Sequence, residues 1–283
     1  MYKKIGLALA FSPRCQAMLA EANRLKKLFE AELVCIHIGP KEPAEQKFMD
    51  EVLEKAGLKK SDITLIWDEG DPIKQLLSHC KKEQVDLLVA GALKKENLLK
   101  YYIGSIARKI IRKADSSVLM LINPSENPQP FKKIVINGTD GQRDLKTIKK
   151  AIKLAHLENA EHTHIFKDIQ GYGLSVMLAG EDSEKEVAES RRHLIQQEME
   201  EINDLLSGID TFNVPINVKV AGGKEGYQLR KFTEKVGADL LVVQSPSRKL
   251  GIFDRIFPHY IESITSDLPT NLLIDHNKSS WSI

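Results

Sequence analysis

Lys3-Lys4-Ile5-Gly6-Leu7 returns 129 residues later as Lys132-Lys133-Ile134-Val135-Ile136. The same offset lays Ala31-Glu32 on Ala160-Glu161. Farther on, Asp86-Leu87-Leu88-Val89 meets Asp239-Leu240-Leu241-Val242 at an offset of 153, so the second copy carries 24 additional residues in its middle. A repeat of this length is one domain duplicated and fused, and each copy has its own candidate site.

Within the first copy, Ile5–Ala10 is an apolar run too short for a helix and reads as a buried strand. Ser12-Pro13 predicts a helix start, with Ser12 as N-cap and Pro13 at the first position. Met18, Leu19, Ala22, Leu25, Leu28 and Phe29 then share one helical face. Further strands are read at Leu33–Ile38, Ile63–Trp67, Asp86–Ala90 and Val118–Ile122, with helices at Pro43–Ala56, Ile73–Glu83 and Ser105–Lys113. The second copy repeats the plan, with strands Ile134–Asn137, His162–Phe166, Ile216–Val220, Asp239–Val243 and Thr270–Ile274. Its helices are read at Asp144–Leu157, Glu184–Leu206, Gly226–Val236 and Ile256–Ser266, the additional residues lengthening the charged middle one. Such alternation calls for an α/β fold, a parallel sheet covered by helices on both faces. Three prolines within Asn123–Pro130 mark the linker. The expected domains are 1–123 and 131–276, joined by 124–130, with a tail at Asn277–Ile283.

A chain of 283 residues suits two domains of about 140 each. A hydrophobic content of 42% and a charged content of 28% fit an ordinary globular protein. The net charge of +2 supplies no field for nucleic acid or an anionic membrane. Cys15, Cys35 and Cys80 show no metal or disulfide spacing, so a reducing, cytoplasmic location is expected. Lys3-Lys4 before an apolar run could pass for a secretory signal, but the same segment recurs inside the chain and reads as a strand. No run of 18 apolar residues exists, so no membrane span is expected.

In an open parallel sheet, ligands sit at the carboxyl ends of the strands where the strand order reverses. That places the loop after strand four at the crevice. In the first copy it runs from Gly91 through Lys94, Tyr101 and Tyr102 to Gly104-Ser105, directly into a helix. Gly104 permits close backbone approach, Ser105 offers a hydroxyl, and the first N–H groups of the helix, from Ser105 and Ile106 onward, have no intrahelical partner. This is either an anion site or a serine-capped helix start.

The loop, its place after an Asp-Leu-Leu-Val strand, the ending Ser117-Val118-Leu119-Met120-Leu121 and the duplication resemble the universal stress protein family in its tandem form. The resemblance implies two doubly wound domains, each a five-stranded parallel sheet in order 3-2-1-4-5. It also implies pairing through the fifth strands, here Val118–Ile122 against Thr270–Ile274, as an intramolecular pseudo-dimer. Nucleotide-binding members carry Gly-x2-Gly-x9-Gly-[Ser/Thr] in this loop. Gly91, Gly104 and Ser105 match at that spacing, while Lys94 stands at the second glycine. Its ammonium can pair with phosphate, or its Cβ can keep the backbone away. The main chain around Ile38 matches where the family holds adenine, and Ala10 stands where it tends to place an aspartate. The implied ligands are ATP, ADP or AMP in the first copy, with Mg if ATP.

In the second copy Gln244, Ser247, Phe257 and Pro258 replace Gly91, Lys94, Gly104 and Ser105. A proline offers no N–H, and Phe257 fills the space that phosphate needs, so no nucleotide is expected there. Asp140-Gly141 resembles the family's strand-one Asp-Gly but reads as a turn. Tyr101 and Tyr102 in one copy, and Phe253 and Phe257 in the other, could line an apolar ligand or partner patch, or simply pack on their own domains. His162 and His164 share one strand face without an obvious third metal ligand, so no metal site is assigned. His37 reads as core or crevice lining. No Gly-x-Ser-x-Gly elbow, Gly-x4-Gly-Lys-[Ser/Thr] loop or His-Glu-x-x-His motif occurs, and no catalytic residue is assigned.

The expected function is therefore a stress-response binding or regulatory protein without dedicated catalysis, acting on a small molecule or a protein partner. The alternatives are an ATP/AMP switch, a slow nucleotide hydrolase, or a binder of an apolar ligand. Association of two tandem chains into a homodimer is a further possibility.

Overall fold

The repeat Lys-Lys-Ile … Asp-Leu-Leu-Val has a physical cause at the start of the first strand in each copy. Asp86 Oδ2 accepts the backbone N–H groups of Lys3 at 2.9 Å and Lys4 at 3.0 Å. Asp239 Oδ2 accepts those of Lys132 and Lys133, both at 2.8 Å. In return the N–H groups of Asp86 and Asp239 donate to the carbonyls of Lys4 and Lys133. One aspartate thus fixes the register of strand four against strand one, twice.

The computed structural model describes residues 1–94, 101–102, 104–138, 145–170, 184–223, 226–245, 249–250, 254–255 and 259–276. The first copy forms β1 (Lys4–Leu9), α1 (Cys15–Phe29), β2 (Glu32–Ile38), α2 (Pro43–Lys55), β3 (Thr64–Asp68), α3 (Pro72–Lys82) and β4 (Leu87–Gly91). An antiparallel pair follows, β5 (Leu93–Lys94) and β6 (Tyr101–Tyr102), then α4 (Ser105–Lys113) and β7 (Ser117–Leu121). The second copy forms β8 (Lys133–Asn137), α5 (Leu145–Leu157), β9 (His162–Gln170), α6 (Glu184–Ser207), β10 (Ile216–Gly223), α7 (Tyr227–Val236) and β11 (Leu240–Gln244). It ends with the antiparallel pair β12 (Lys249–Leu250) and β13 (Asp254–Arg255), then α8 (His259–Ser266) and β14 (Asn271–Asp275).

By contacts the chain divides into Met1–Pro130 with Ser245–Ile256 and Asn271–Ile283, and Phe131–Gln244 with Phe257–Thr270. In the first unit the strands run β14-β7-β4-β1-β2-β3, all parallel except β14. Ile5, Leu7, Leu33, Ile36, Leu88 and Val89 are buried at its centre. In the second unit the order is β10-β9-β8-β11, all parallel, around Ile134, Val135, Ile136, Ile165, Phe166 and Leu241. The last strand of the second repeat therefore counts with the first unit, where β14 lies antiparallel to β7 with Leu272, Leu273 and Ile274 opposite Met120, Leu119 and Val118. Ser117 Oγ donates to Asp275 Oδ1 at 2.9 Å, and Asn271 Oδ1 accepts the Ile122 N–H at 3.0 Å. These bonds secure both ends of the pairing.

The start of α1 corrects the sequence reading. Arg14, not Ser12, is the N-cap, and the helix opens at Cys15. Ser12 Oγ accepts the Arg14 N–H and its carbonyl accepts the Cys15 N–H, so Ser-Pro closes a turn one step ahead of the helix. α8 is described from His259 onward, and Ile256, where periodicity starts it, lies outside the described residues. α3 shows an ordinary cap, with Asp71 Oδ1 accepting the Lys74 N–H at 2.7 Å. Asp71→Ala is expected to lower stability by about 1 kcal/mol in urea unfolding, while Asp71→Ser should keep most of it.

Candidate functional site

The carboxyl ends of β1, β2 and β4 lie on one edge of the first unit, because the three strands are parallel and adjacent. Of the residues assigned to the first-copy site, Ile38 and Gly91 end strands on this edge, Lys94 lies in the loop after β4, Gly104 caps α4, and Ser105 and Ile106 open it. Gly91 ends β4 and is exposed. A Cβ there would stand 3.6 Å from Met18 Sδ, an ordinary contact, so the fold itself makes no demand for glycine. Lys94 and Tyr101 face each other as register partners of β5 and β6, so the stretch read from sequence as irregular loop contains a short antiparallel pair.

Gly104 is buried, with φ −64° and ψ 169°, and is the N-cap of α4. Its carbonyl accepts the Arg108 N–H at 2.9 Å, which starts the helix. Ser105 is therefore the first helical residue and not the cap. Among the described residues no side-chain hydrogen bond caps α4, and no acid lies in its first turn. Ser105 and Ile106 are exposed, Ile106 at 54%. The first N–H groups of a helix lack intrahelical partners and carry the positive end of the macrodipole. Here they begin at a glycine, beside an exposed hydroxyl, which is a geometry that receives an anion.

Ile38 ends β2, half-buried. Beside it lies an aromatic cluster that sequence reading did not assemble, on residues at the carboxyl ends of three neighbouring strands. The Phe11 ring lies 4.2 Å from His37 and 5.2 Å from Trp67, centroid to centroid, and Phe48 meets Phe11 at 5.7 Å. His37 is buried, and its Nδ1 lies 3.1 Å from the Leu9 carbonyl. A carbonyl only accepts, so Nδ1 carries the proton. Trp67 Nε1 donates to the carbonyls of Gly39 and Pro40, pinning the turn after Ile38. His37 thus belongs to both the core and the crevice edge. Ala10 is exposed at the end of β1 and supplies no carboxylate. Among the described residues no group of three or more His, Cys, Asp or Glu is placed to hold a metal ion.

Beneath this edge the thiols are inert. Burial pushes Cys15 up to about 11 and Cys35 up to about 12, the latter with help from Cys15. Both remain protonated at neutral pH and poor nucleophiles.

In the second unit β11 ends at Gln244, and the buried Ser245 follows. Ser247, Phe253, Phe257, Pro258 and the turn Asp140-Gly141 lie outside the described residues, as do the side chains of Lys94, Tyr101 and Tyr102. The backbone of β12 and β13 nonetheless repeats the antiparallel pair of the first copy.

His162 and His164 stack at 6.4 Å, and His164 meets Phe232 edge-on at 5.4 Å. Burial, then His162 and then Lys133, hold His164 below the usual histidine range. As pH falls through the ordinary value of about 6.5, the unfolded chain gains a proton that the folded chain resists, so stability declines. His164→Gln is expected to flatten that decline in urea unfolding at about pH 7.5 and about pH 5.5, on either side of the ordinary value. An equal decline in both proteins would assign it elsewhere.

A profile of the universal stress protein family matches residues 1–121. Residues 1–121 belong to the universal stress protein family. A universal stress protein of Methanocaldococcus jannaschii is 26% identical over 145 residues, which cover 44% of this chain and 85% of that protein. The universal stress protein YxiE of Bacillus subtilis is 24% identical over 147 residues, covering 43% of this chain and 99% of its own. Each relative is thus matched over most of its length by less than half of this chain, as duplication requires. A putative universal stress protein of Pseudomonas aeruginosa shares the fold over 96% of this chain and 92% of its own, at a TM-score of 0.69 and 16% identity. In this universal stress protein domain Gly91 ends β4 and Gly104 is the N-cap of α4. Among the described residues no helix is long and apolar enough to cross a membrane.

Proposed function

We propose that the chain is a stress-response binding and regulatory protein without dedicated turnover, and that its first copy takes an adenine nucleotide weakly. The observation that carries the reading is the start of α4, where a buried glycine N-cap precedes an exposed serine and, among the described residues, no side-chain hydrogen bond caps the helix. Phosphate would sit against the N–H groups of Ser105 and Ile106, with the base toward Ile38. If ATP carries Mg2+, the cation comes with the phosphates, because Ala10 offers it no ligand. Binding without hydrolysis is the proposed chemistry, and phosphate release is the measurement that separates it from a slow hydrolase.

Thermal unfolding with ATP, ADP or AMP tests the reading. Ligand at 100 times its dissociation constant should add about 2.7 kcal/mol to the stability of the first unit. No shift at millimolar nucleotide would remove the nucleotide from the account. Phosphate release equal to that of Gly104→Trp supports binding alone, whereas release above it would make the chain a hydrolase.

A further inference from the structure

The residue ahead of α1 does more than cap it. Arg14 Nη1 donates to the Ala92 carbonyl at 2.7 Å, and Nη2 donates to the Ile122 carbonyl at 2.8 Å. Ala92 is the first residue of the nucleotide loop after β4, and Ile122 is the first residue after β7. The Ala92 N–H is itself taken by the Leu121 carbonyl at 2.9 Å. Ala92 is therefore held through its N–H by strand β7 and through its carbonyl by the guanidinium of the residue ahead of α1. Arg14 is in turn fixed from behind, because its N–H donates to Ser12 Oγ and its carbonyl accepts the Met18 N–H. Met18 then lies against Gly91.

We infer that Arg14 is the positioning residue of the first-copy site, the brace that sets where the loop leaves the sheet and so where Gly104 and Ser105 stand. The geometry needs a planar fork. Two carbonyls on neighbouring strand ends are bridged by the two terminal nitrogens of one guanidinium, and a lysine ammonium cannot span both from one position. Part of the inference rests on the nucleotide reading above, namely that the braced loop serves ATP. The brace itself does not.

The sequence carries a parallel. At the offset of 129 that defines the repeat, Arg14 falls on Arg143. Arg143 lies outside the described residues, but its retention is informative beside what the second copy has lost. The phosphate loop there has given way to Gln244, Phe257 and Pro258, while the arginine remains. A residue that touched phosphate would have lost its purpose with the loop.

The test uses the full chain as Arg14→Ala, Arg14→Lys and Arg143→Ala, with hydrogen exchange by mass spectrometry and ATP titration by calorimetry. Arg14→Ala is expected to speed exchange in peptides covering 91–107 by about tenfold while β2 and β3 keep their protection, and to weaken ATP binding by about tenfold. Arg14→Lys, which keeps the charge and most of the bulk, should stay impaired. Millimolar ethylguanidinium should restore ATP binding to Arg14→Ala, and ethylammonium should not. Arg143→Ala should leave ATP binding at its wild-type value. Unchanged exchange over 91–107 in folded Arg14→Ala overturns the brace. So does full ATP affinity in Arg14→Lys. If the wild-type chain takes no ATP, the nucleotide reading fails on that result alone, and the exchange data still decide the brace.

Discussion

Asp86→Ala and Asp239→Ala are each expected to lower the stability of their own unit by about 2–3 kcal/mol. Each carboxylate accepts two backbone N–H groups from the start of strand one, at 2.8 to 3.0 Å, and hydrogen bonds to a charged acceptor are stronger than neutral ones. Alanine leaves both donors without that acceptor at a partly buried strand end, where water replaces it incompletely. Asparagine keeps one acceptor oxygen and should recover roughly half of the loss. The two sites belong to different units, so the double variant should show the sum of the two effects. Asp62 gives the contrast. Its carboxylate also takes a backbone N–H, that of Lys59 at 3.0 Å, but on an exposed turn, and Asp62→Ala should cost far less. Chemical denaturation followed by circular dichroism reads all of these. Equal costs at Asp62 and Asp239 would mean that the repeated aspartate owes its place to something other than these bonds.

Gly104→Trp is expected to remove the stabilisation by ATP altogether, a loss of about 2.7 kcal/mol at ligand 100-fold above its dissociation constant. The backbone at Gly104 is extended, with φ −64° and ψ 169°, a conformation open to any residue, and because Gly104 is buried the variant is read only where circular dichroism shows it folded. What tryptophan changes is the space in front of the first N–H groups of the helix, where an anion must approach within hydrogen-bond distance. A folded Gly104→Trp protein that is still stabilised by ATP would place the nucleotide elsewhere. Gly91→Ala serves as a stability control at the other end of the loop. Among the described residues its Cβ meets Met18 Sδ at 3.6 Å and Cε at 3.9 Å, both ordinary distances, so unfolding should shift by less than about 0.5 kcal/mol.

Most of the fold was legible because its signals are local and periodic. Short apolar runs bounded by glycine or proline gave the strands, and Ser105–Lys113 emerged with the bounds read from sequence. The repeated aspartate was visible as a pattern, although only the structure shows that it holds the lysine N–H groups at the start of strand one. Ser12 misled because Ser-Pro matches both a helix cap and a turn ahead of one. The rest of the site was hidden for a different reason. Arg14 reaches carbonyls 78 and 108 residues away, and nothing in its neighbours distinguishes it from a surface arginine. Phe11, His37 and Trp67 meet only because three strands end side by side, so each looked like an isolated aromatic in the sequence. The pair β5–β6 is two residues to a strand, too short for any period to register.

The account stands most directly on what the chain carries when it leaves the cell. Mass spectrometry of small molecules released by denaturing the freshly purified protein should find an adenine nucleotide in the wild-type chain, depleted in Gly104→Trp and Arg14→Ala. An equal amount of nucleotide in all three proteins, or its complete absence from the wild type under gentle purification, would contradict a nucleotide site at the start of α4.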